Sequence, residues 1–212
     1  EQVINMYEVY ANSVQFAFGL WGSIKVKSCH KDLKLVGTGR SACVFSIEKT
    51  EKVIKIFHPK FQHVAKEEAD IYAQLKQMPH FPCVYASGSN YIVMDYIRGF
   101  TLFDCLNKGI KIQENQVEEV DRVLKLVRSK GLNPSDVHLR NILVTDDQRV
   151  KIIDVARYKQ TKHCEQWDDL RNAYFHLYAQ PYFPRRLPRV LMNVVGRMYK
   201  NNLIPFYTKL QK

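Results

Sequence analysis

Five short segments of this chain carry residue types that could act together on a phosphate. The first is Leu35-Val-Gly-Thr-Gly-Arg-Ser-Ala-Cys-Val-Phe45. Gly37 and Gly39 would let the backbone fold close over an anion with its N–H groups turned inward. An ordinary hairpin turn with glycines at positive φ is the plainer alternative. The second is Val53-Ile-Lys-Ile-Phe57, which sets Lys55 inside an apolar strand. An ammonium there is costly unless paired. Glu68, on the inward face of the following helix, is the candidate partner, and Glu67 is its neighbour and competitor. The plainer alternative is that Lys55 snorkels to water and Glu68 is solvated. The third segment, Tyr91-Ile-Val-Met-Asp-Tyr-Ile-Arg-Gly99, is a buried strand running into a connector. The fourth and fifth are Asp136-Val-His-Leu-Arg-Asn141 and Val150-Lys-Ile-Ile-Asp154. Asp136, Asn141 and Asp154 are hard oxygen groups at strand termini, a donor set that suits Mg²⁺ completed by phosphate oxygens. Any one of them could be a simple turn former. Three in this order, behind a glycine loop and a strand lysine, outweigh that reading.

The elements that must position these groups follow from period and punctuation. Leu33–Val36, Ala42–Glu48 and Val53–Phe57 read as three strands in a meander. Val64, Glu68, Ile71, Leu75 and Met78 recur on one helical face from about Phe61, and Pro79 stops the run. Cys83–Ala86 and Tyr91–Met94 read as two further strands. A helix over Gln113–Lys130 carries the stripe Val117, Val120, Leu124 and Val127, with acids first and bases last as its dipole favours; Gly131 closes it. Ile142–Val144 and Val150–Ile153 form a hairpin. A last helix is expected from Pro188 to about Leu203, with Val190, Leu191, Val194, Val195 and Met198 inward.

Composition bounds the rest. The chain has 212 residues, 46% of them apolar and 12% aromatic, enough to bury a core and too many for a disordered chain. Its five cysteines are odd in number, and none stand at Cys-x-x-Cys spacing. That pattern points to a reducing, cytoplasmic setting. The uncharged stretch Val9–Ile24 contains Asn12, Ser13, Gln15 and two glycines, so no transmembrane segment is expected. A net charge of +11 predicts attraction to an anionic partner.

The five segments, in their order, resemble the protein kinase-like superfamily over about Leu33–Leu170. The similarity lies in Gly37, Gly39, Ala42 and Val44 for the glycine-rich loop, Val-Ile-Lys55 for the third-strand lysine, and Glu68 for the helix-C glutamate. Met94-Asp-Tyr-Ile97 is similar to the hinge, and Asp136 and Asn141 have the catalytic loop's Asp-x-x-x-x-Asn spacing. Asp154 stands in the place of the metal-binding Asp. The resemblance implies an α+β, minimal two-lobed kinase-like fold: residues 1–32 an extension, 33–98 an antiparallel-sheet N-lobe with helix C and hinge, and 99–212 a reduced, mostly helical C-lobe. It implies ATP and Mg²⁺ as cofactors, with Val36, Gly37, Gly39, Ala42, Val44, Lys55, Glu68, Asp95 and Ile97 at the nucleotide. Asn141 and Asp154 would hold the metal, and Asp136, with Lys55, would be catalytic. The departures matter too. Pro134-Ser135 precedes Asp136 where His-Arg is usual, and His138 stands where a lysine is usual. Val155-Ala156 follows Asp154 in place of Phe-Gly, and no Ala-Pro-Glu appears. In build the chain is similar to the small bacterial serine/threonine kinases and to the RIO-like group.

These features imply an ATP-dependent phosphotransferase acting on a protein hydroxyl. A small-molecule kinase of the same fold and a nucleotide-binding pseudokinase scaffold are the alternatives. Asp168-Asp169 either buttress the catalytic loop or cap a helix. From Leu170 to Lys212 there are eight Lys and Arg and no acid. Arg189, Arg197 and Lys200 form either a solvated basic face or a docking face for an acidic protein, RNA or the ribosome.

Overall fold

Tyr7, Tyr10, Ala11 and Val14 recur at a helical period; the first three are buried on one side of an opening helix, α1, Gln2–Ser13, and Val14 is buried just beyond its end. The computed structural model describes residues 2–18, 24–201 and 203. The chain divides into two units, Glu1–Ile97 and Arg98–Lys212. In the first, β1 (Gln15–Phe18) and β2 (Ile24–Ser28) pair as an antiparallel ribbon. There follow β3 (Leu33–Thr38), β4 (Ala42–Ile47) and β5 (Lys52–Phe57), then helix α2 (Gln62–Leu75), β6 (Val84–Ser87) and β7 (Tyr91–Asp95). These five strands form one antiparallel sheet in the order β3-β4-β5-β7-β6.

Register divides that sheet into two faces, because side chains alternate along a strand. Cys43, Ile56 and Tyr91 stand in one cross-strand row and Phe45, Ile54 and Val93 in another. All six join Tyr7, Tyr10, Ala11 and Val14 in a single buried cluster. The opposite face carries the row Gly37, Val44, Lys55, Ile92, and α2 covers it with Ala65, Glu68, Ile71, Tyr72 and Leu75. β5 is therefore buried on both sides, which is why its lysine is an interior residue. Val64, expected on the buried stripe, is only half-buried; Ala65 and Tyr72 share the inward face instead.

The second unit opens with β8 (Phe100–Thr101) and α3 (Leu102–Lys108), followed by α4 (Glu114–Ser129). Gln113 and Gln116 form a reciprocal capping box at the start of α4. Then come β9 (Ile142–Val144), β10 (Val150–Ile152), α5 (Gln166–Ala173) with a π-turn over Tyr174–Tyr178, and α6 (Arg189–Lys200). The three short strands pair antiparallel in the order β10-β9-β8. Gly99 sits at φ 150° where a Cβ would lie 2.3 Å from the Val144 carbonyl oxygen, so this crossing admits only glycine. The whole is the expected α+β pairing of an antiparallel sheet carrying a helix with a reduced, mainly helical unit.

One expectation fails at α6. Val190, Leu191, Val194, Val195 and Met198 face solvent, not the core. The helix is held by its polar side: Arg189 donates to Asp104 at 3.0 Å, Arg140 to Asn193 at 2.8 Å, and Tyr199 to Asp169 at 2.8 Å. Arg189 is thus paired within the unit. Arg189, Arg197 and Lys200 of the expected basic face are all exposed, while Lys209 and Lys212 of the basic C-terminal segment, and residues 19–23 of the uncharged stretch, lie outside the described residues.

Candidate functional site

The first unit supplies a buried cation and a glycine hairpin. Lys55 Nζ donates to both carboxylate oxygens of Glu68 at 2.7 Å, and Glu68 is fully buried. A bidentate, charge-assisted contact of this kind is what makes an interior ammonium tolerable. Glu67, the competing acid, is exposed. Gly37 lies within β3, directly across from Val44, which is itself across from Lys55. Neither Gly37 nor Gly39 adopts a positive φ, so a left-handed backbone is not what these glycines supply to the hairpin. The Gly39 N–H donates to the Ala42 carbonyl at 2.8 Å, closing the loop, and a Cβ on Gly39 would sit 3.3 Å from that same oxygen. Val36 is exposed beside the loop. Asp95 ends β7 with its carboxylate accepting from the Cys83 N–H at 2.8 Å and from the Tyr85 hydroxyl at 2.6 Å. That contact pushes the Tyr85 phenol up to about 12. Ile97 follows at the end of the unit.

The second unit brings Asp136, His138, Asn141 and Asp154 together through one hairpin. β9 and β10 pair Ile142 with Ile152, and the Ile153 N–H donates to the Asn141 carbonyl at 2.8 Å. Asn141 thus stands at the mouth of the hairpin with Asp154 one residue beyond its partner. The Asn141 amide Nδ2 donates to the Asp136 carbonyl at 3.0 Å, which orients its Oδ1 as the remaining acceptor. Asp136 and Asp154 both adopt the left-handed conformation, at φ 59° and 64°. Side chains with a Cβ hold that conformation at a cost of about 1–3 kcal/mol, a strain concentrated at functional sites.

The surroundings tune these groups. Burial pushes the His138 imidazole below its ordinary value; the Asp136 and Asp154 carboxylates oppose this, and Lys200 reinforces it. Its Nδ1 accepts from the Arg140 N–H at 3.3 Å, as a neutral ring can. Arg157 Nε lies 3.4 Å from Asp136 Oδ2. Nothing in residue spacing singled out Arg157, since it approaches Asp136 only when the chain turns after Asp154. Asn133 was likewise missed: its amide donates to the carbonyls of Gln160 and Lys162, both at 2.9 Å, pinning the segment that follows Asp154. Asp169 is buried in the first turn of α5 and accepts from Tyr199, while Glu165 occupies the cap position.

No group of three or more His, Cys, Asp or Glu suited to a metal occurs among the described residues. One amide oxygen and one carboxylate, Asn141 and Asp154, fit a different kind of ion. Mg²⁺ is commonly held by one or two protein groups with phosphate oxygens and water completing its shell.

The model of the RIO domain matches residues 48–173, from the end of β4 through α5. The chain is 42% identical over 180 residues to "Putative serine/threonine-protein kinase YrzF" of Bacillus subtilis, covering 84% of each protein. It is 33% identical over 69 residues to "Probable serine/threonine-protein kinase CA_C1728" of Clostridium acetobutylicum, covering 31% of this chain and 10% of that one. It is 28% identical over 147 residues to human "Ribosomal protein S6 kinase alpha-2", covering 60% of this chain and 20% of the relative. The RIO match spans the Lys55–Glu68 pair and the Asp136–Asp154 hairpin alike, and on that ground this chain belongs to the RIO family of atypical protein kinase-like proteins.

Proposed function

We propose that the protein is an ATP- and Mg²⁺-dependent kinase that transfers the γ-phosphoryl group to a serine or threonine hydroxyl of a protein. The observation that carries this reading is the hairpin that sets Asn141 and Asp154 side by side, with Asn141 tied to the backbone of Asp136. Lys55, steadied by Glu68, contacts the α- and β-phosphates. The Gly37–Gly39 hairpin covers the phosphates with backbone N–H groups, Val36, Ala42 and Val44 line the base, and the backbone of Asp95 and Ile97 holds its edge. Asn141 and Asp154 hold Mg²⁺, which when bound neutralises charge on the phosphate oxygens. Asp136 orients the acceptor hydroxyl and takes its proton as the new O–P bond forms and the bond to the β-phosphate oxygen breaks, leaving ADP. Little covalent work falls to the protein, so placement and charge supply most of the rate. A small hydroxyl compound as acceptor is the second reading, favoured by His138 in place of the usual lysine.

Labelled phosphate transfer from ATP, read beside thermal stabilisation by Mg-ATP, tests this. Asn tolerates the left-handed conformation, so Asp136→Asn and Asp154→Asn keep the local backbone. Asp136→Asn should lower transfer about 10²- to 10⁴-fold, with Mg-ATP affinity changed by less than about tenfold, or roughly 1.4 kcal/mol. Asp154→Asn should weaken Mg²⁺-dependent binding and transfer together. A wild-type protein that binds Mg-ATP yet phosphorylates neither itself, nor proteins, nor small alcohols would be a scaffold. Normal transfer by Asp136→Asn would show that another group is the base.

A further inference from the structure

α6 presents the wrong face to the rest of its unit for an ordinary amphipathic helix. Surface helices bury the apolar stripe and expose the polar side. Here Arg189, Asn193 and Tyr199 are the residues that bond to Asp104, Arg140 and Asp169. Val190, Leu191, Val194, Val195 and Met198 all stay exposed, Val190 by 74%. At 3.6 residues per turn these five fall within one arc of the helix, opposite the bonded side. An apolar strip along twelve residues is held outward by fixed polar contacts on its back.

The charge around the strip narrows what can cover it. Exposed Arg185 and Arg186 lie just before the helix and exposed Arg197 falls beside Val190 at the edge of the strip, and the sequence from Leu170 to Lys212 contains eight bases and no acid. A second copy of this chain is disfavoured, because a two-fold contact presents the same patch to itself and would set like charges together. RNA would satisfy the bases and leave the apolar strip wet. A surface that is anionic outside and apolar beneath satisfies both. The sequence past the helix continues the same chemistry: Leu203, Ile204, Phe206, Tyr207 and Leu210 accompany Lys209 and Lys212. Aromatic residues among bases are what membrane interfaces accept.

We propose that α6 is an interfacial helix that lays its apolar face on an anionic lipid bilayer while its polar face stays bonded to the unit. It would rest on the membrane and not cross it; no described helix is long and apolar enough to span one.

The test is co-sedimentation of the full chain with vesicles, a readout that needs neither ATP nor phosphoryl transfer and so stands apart from the kinase reading. The probes are phosphatidylcholine vesicles with and without phosphatidylglycerol. The wild type should bind the anionic vesicles, bind plain phosphatidylcholine far less, and be released by salt. Val194→Glu with Val195→Glu alters only exposed positions, so the fold should persist by circular dichroism while partitioning drops at least about tenfold. Arg197→Glu should lower binding to anionic vesicles specifically. Three results would overturn the proposal: no binding of the wild type to anionic vesicles, equal binding by the double variant, or a wild-type dimer in sedimentation equilibrium that Val194→Glu with Val195→Glu dissolves. The last would assign the strip to self-association.

Discussion

Removing Glu68 should destabilise the first unit far more than removing its neighbour, and the size of the effect follows from burial. Glu68 is fully buried and its two oxygens both receive Lys55 Nζ at 2.7 Å. Glu68→Ala takes that carboxylate from an ammonium that also lies 5.3 Å from the centre of the Phe57 ring. Breaking a buried pair in this way typically costs about 3–5 kcal/mol. Measured by urea denaturation of the full chain without nucleotide, that is a large share of the roughly 5–15 kcal/mol that holds a domain together. Lys55→Met should cost a similar amount, because it strands the carboxylate instead. Glu67→Ala alters an exposed side chain and should stay within about 0.5 kcal/mol. The informative member of the set is Lys55→Met with Glu68→Leu, which removes both charges and refills the space with apolar atoms. Such replacements are often neutral or stabilising, so the double variant should recover most of what either single loses. A double variant no more stable than the singles would mean that packing, and not the pairing of charges, sets the cost. Equal losses from Glu67→Ala and Glu68→Ala would refute the assigned helix phase.

Two further expectations rest on other parts of the structure. Asp154→Gly should be more stable than Asp154→Ala by about 1 kcal/mol, since both lose the carboxylate and only alanine holds φ 64° against its own Cβ; equal midpoints in urea would remove the claim of strain. Burial raises the thiols of Cys43 and Cys105, the latter to about 11, so at pH 8 both stay protonated and should resist alkylation until the chain unfolds, while exposed Cys83 reacts first. Mass mapping of the labelled cysteines reads this directly.

How legible the molecule was in its sequence depends on how local each cause is. The meander β3 to β5, helix α2 and the hairpin β9–β10 follow from period and turn residues, and their observed spans match the expected ones to within a few residues. Lys55 and Glu68 could be paired because an interior lysine demands a partner and α2 has a phase. The opening helix was missed, although Tyr7, Tyr10, Ala11 and Val14 carry a helical period. Its aromatic density and the glycines beyond it obscured a signal that only its packing on Ile54 and Ile56 makes plain. The positive φ of Asp136 and Asp154 had only a weak sequence mark, since Asp visits the left-handed region more often than most residues but far less often than glycine.

The failure at α6 is of a different kind, and it explains more than the successes do. Helical period states that one face is apolar; it does not state that this face turns inward. The inference inward assumes that burying Val, Leu and Met is the strongest force on the helix. In this chain Asp104, Arg140 and Asp169 present charged partners to the other face, and each is engaged by a residue of α6. Those contacts reach close to the hairpin that carries Asn141 and Asp154. Arg140 directly precedes Asn141 and stacks 3.4 Å above the Phe103 ring, and Lys200 is near enough to act on His138. The polar side of the helix is therefore tied to α3, to α5 and, through Arg140, to the loop that carries Asp136 and Asn141. Its apolar side is exposed, and Arg140, which Asn193 holds from the other side, stands next to Asn141. The sequence of α6 alone describes one amphipathic helix, and only its partners decide which face is the inside.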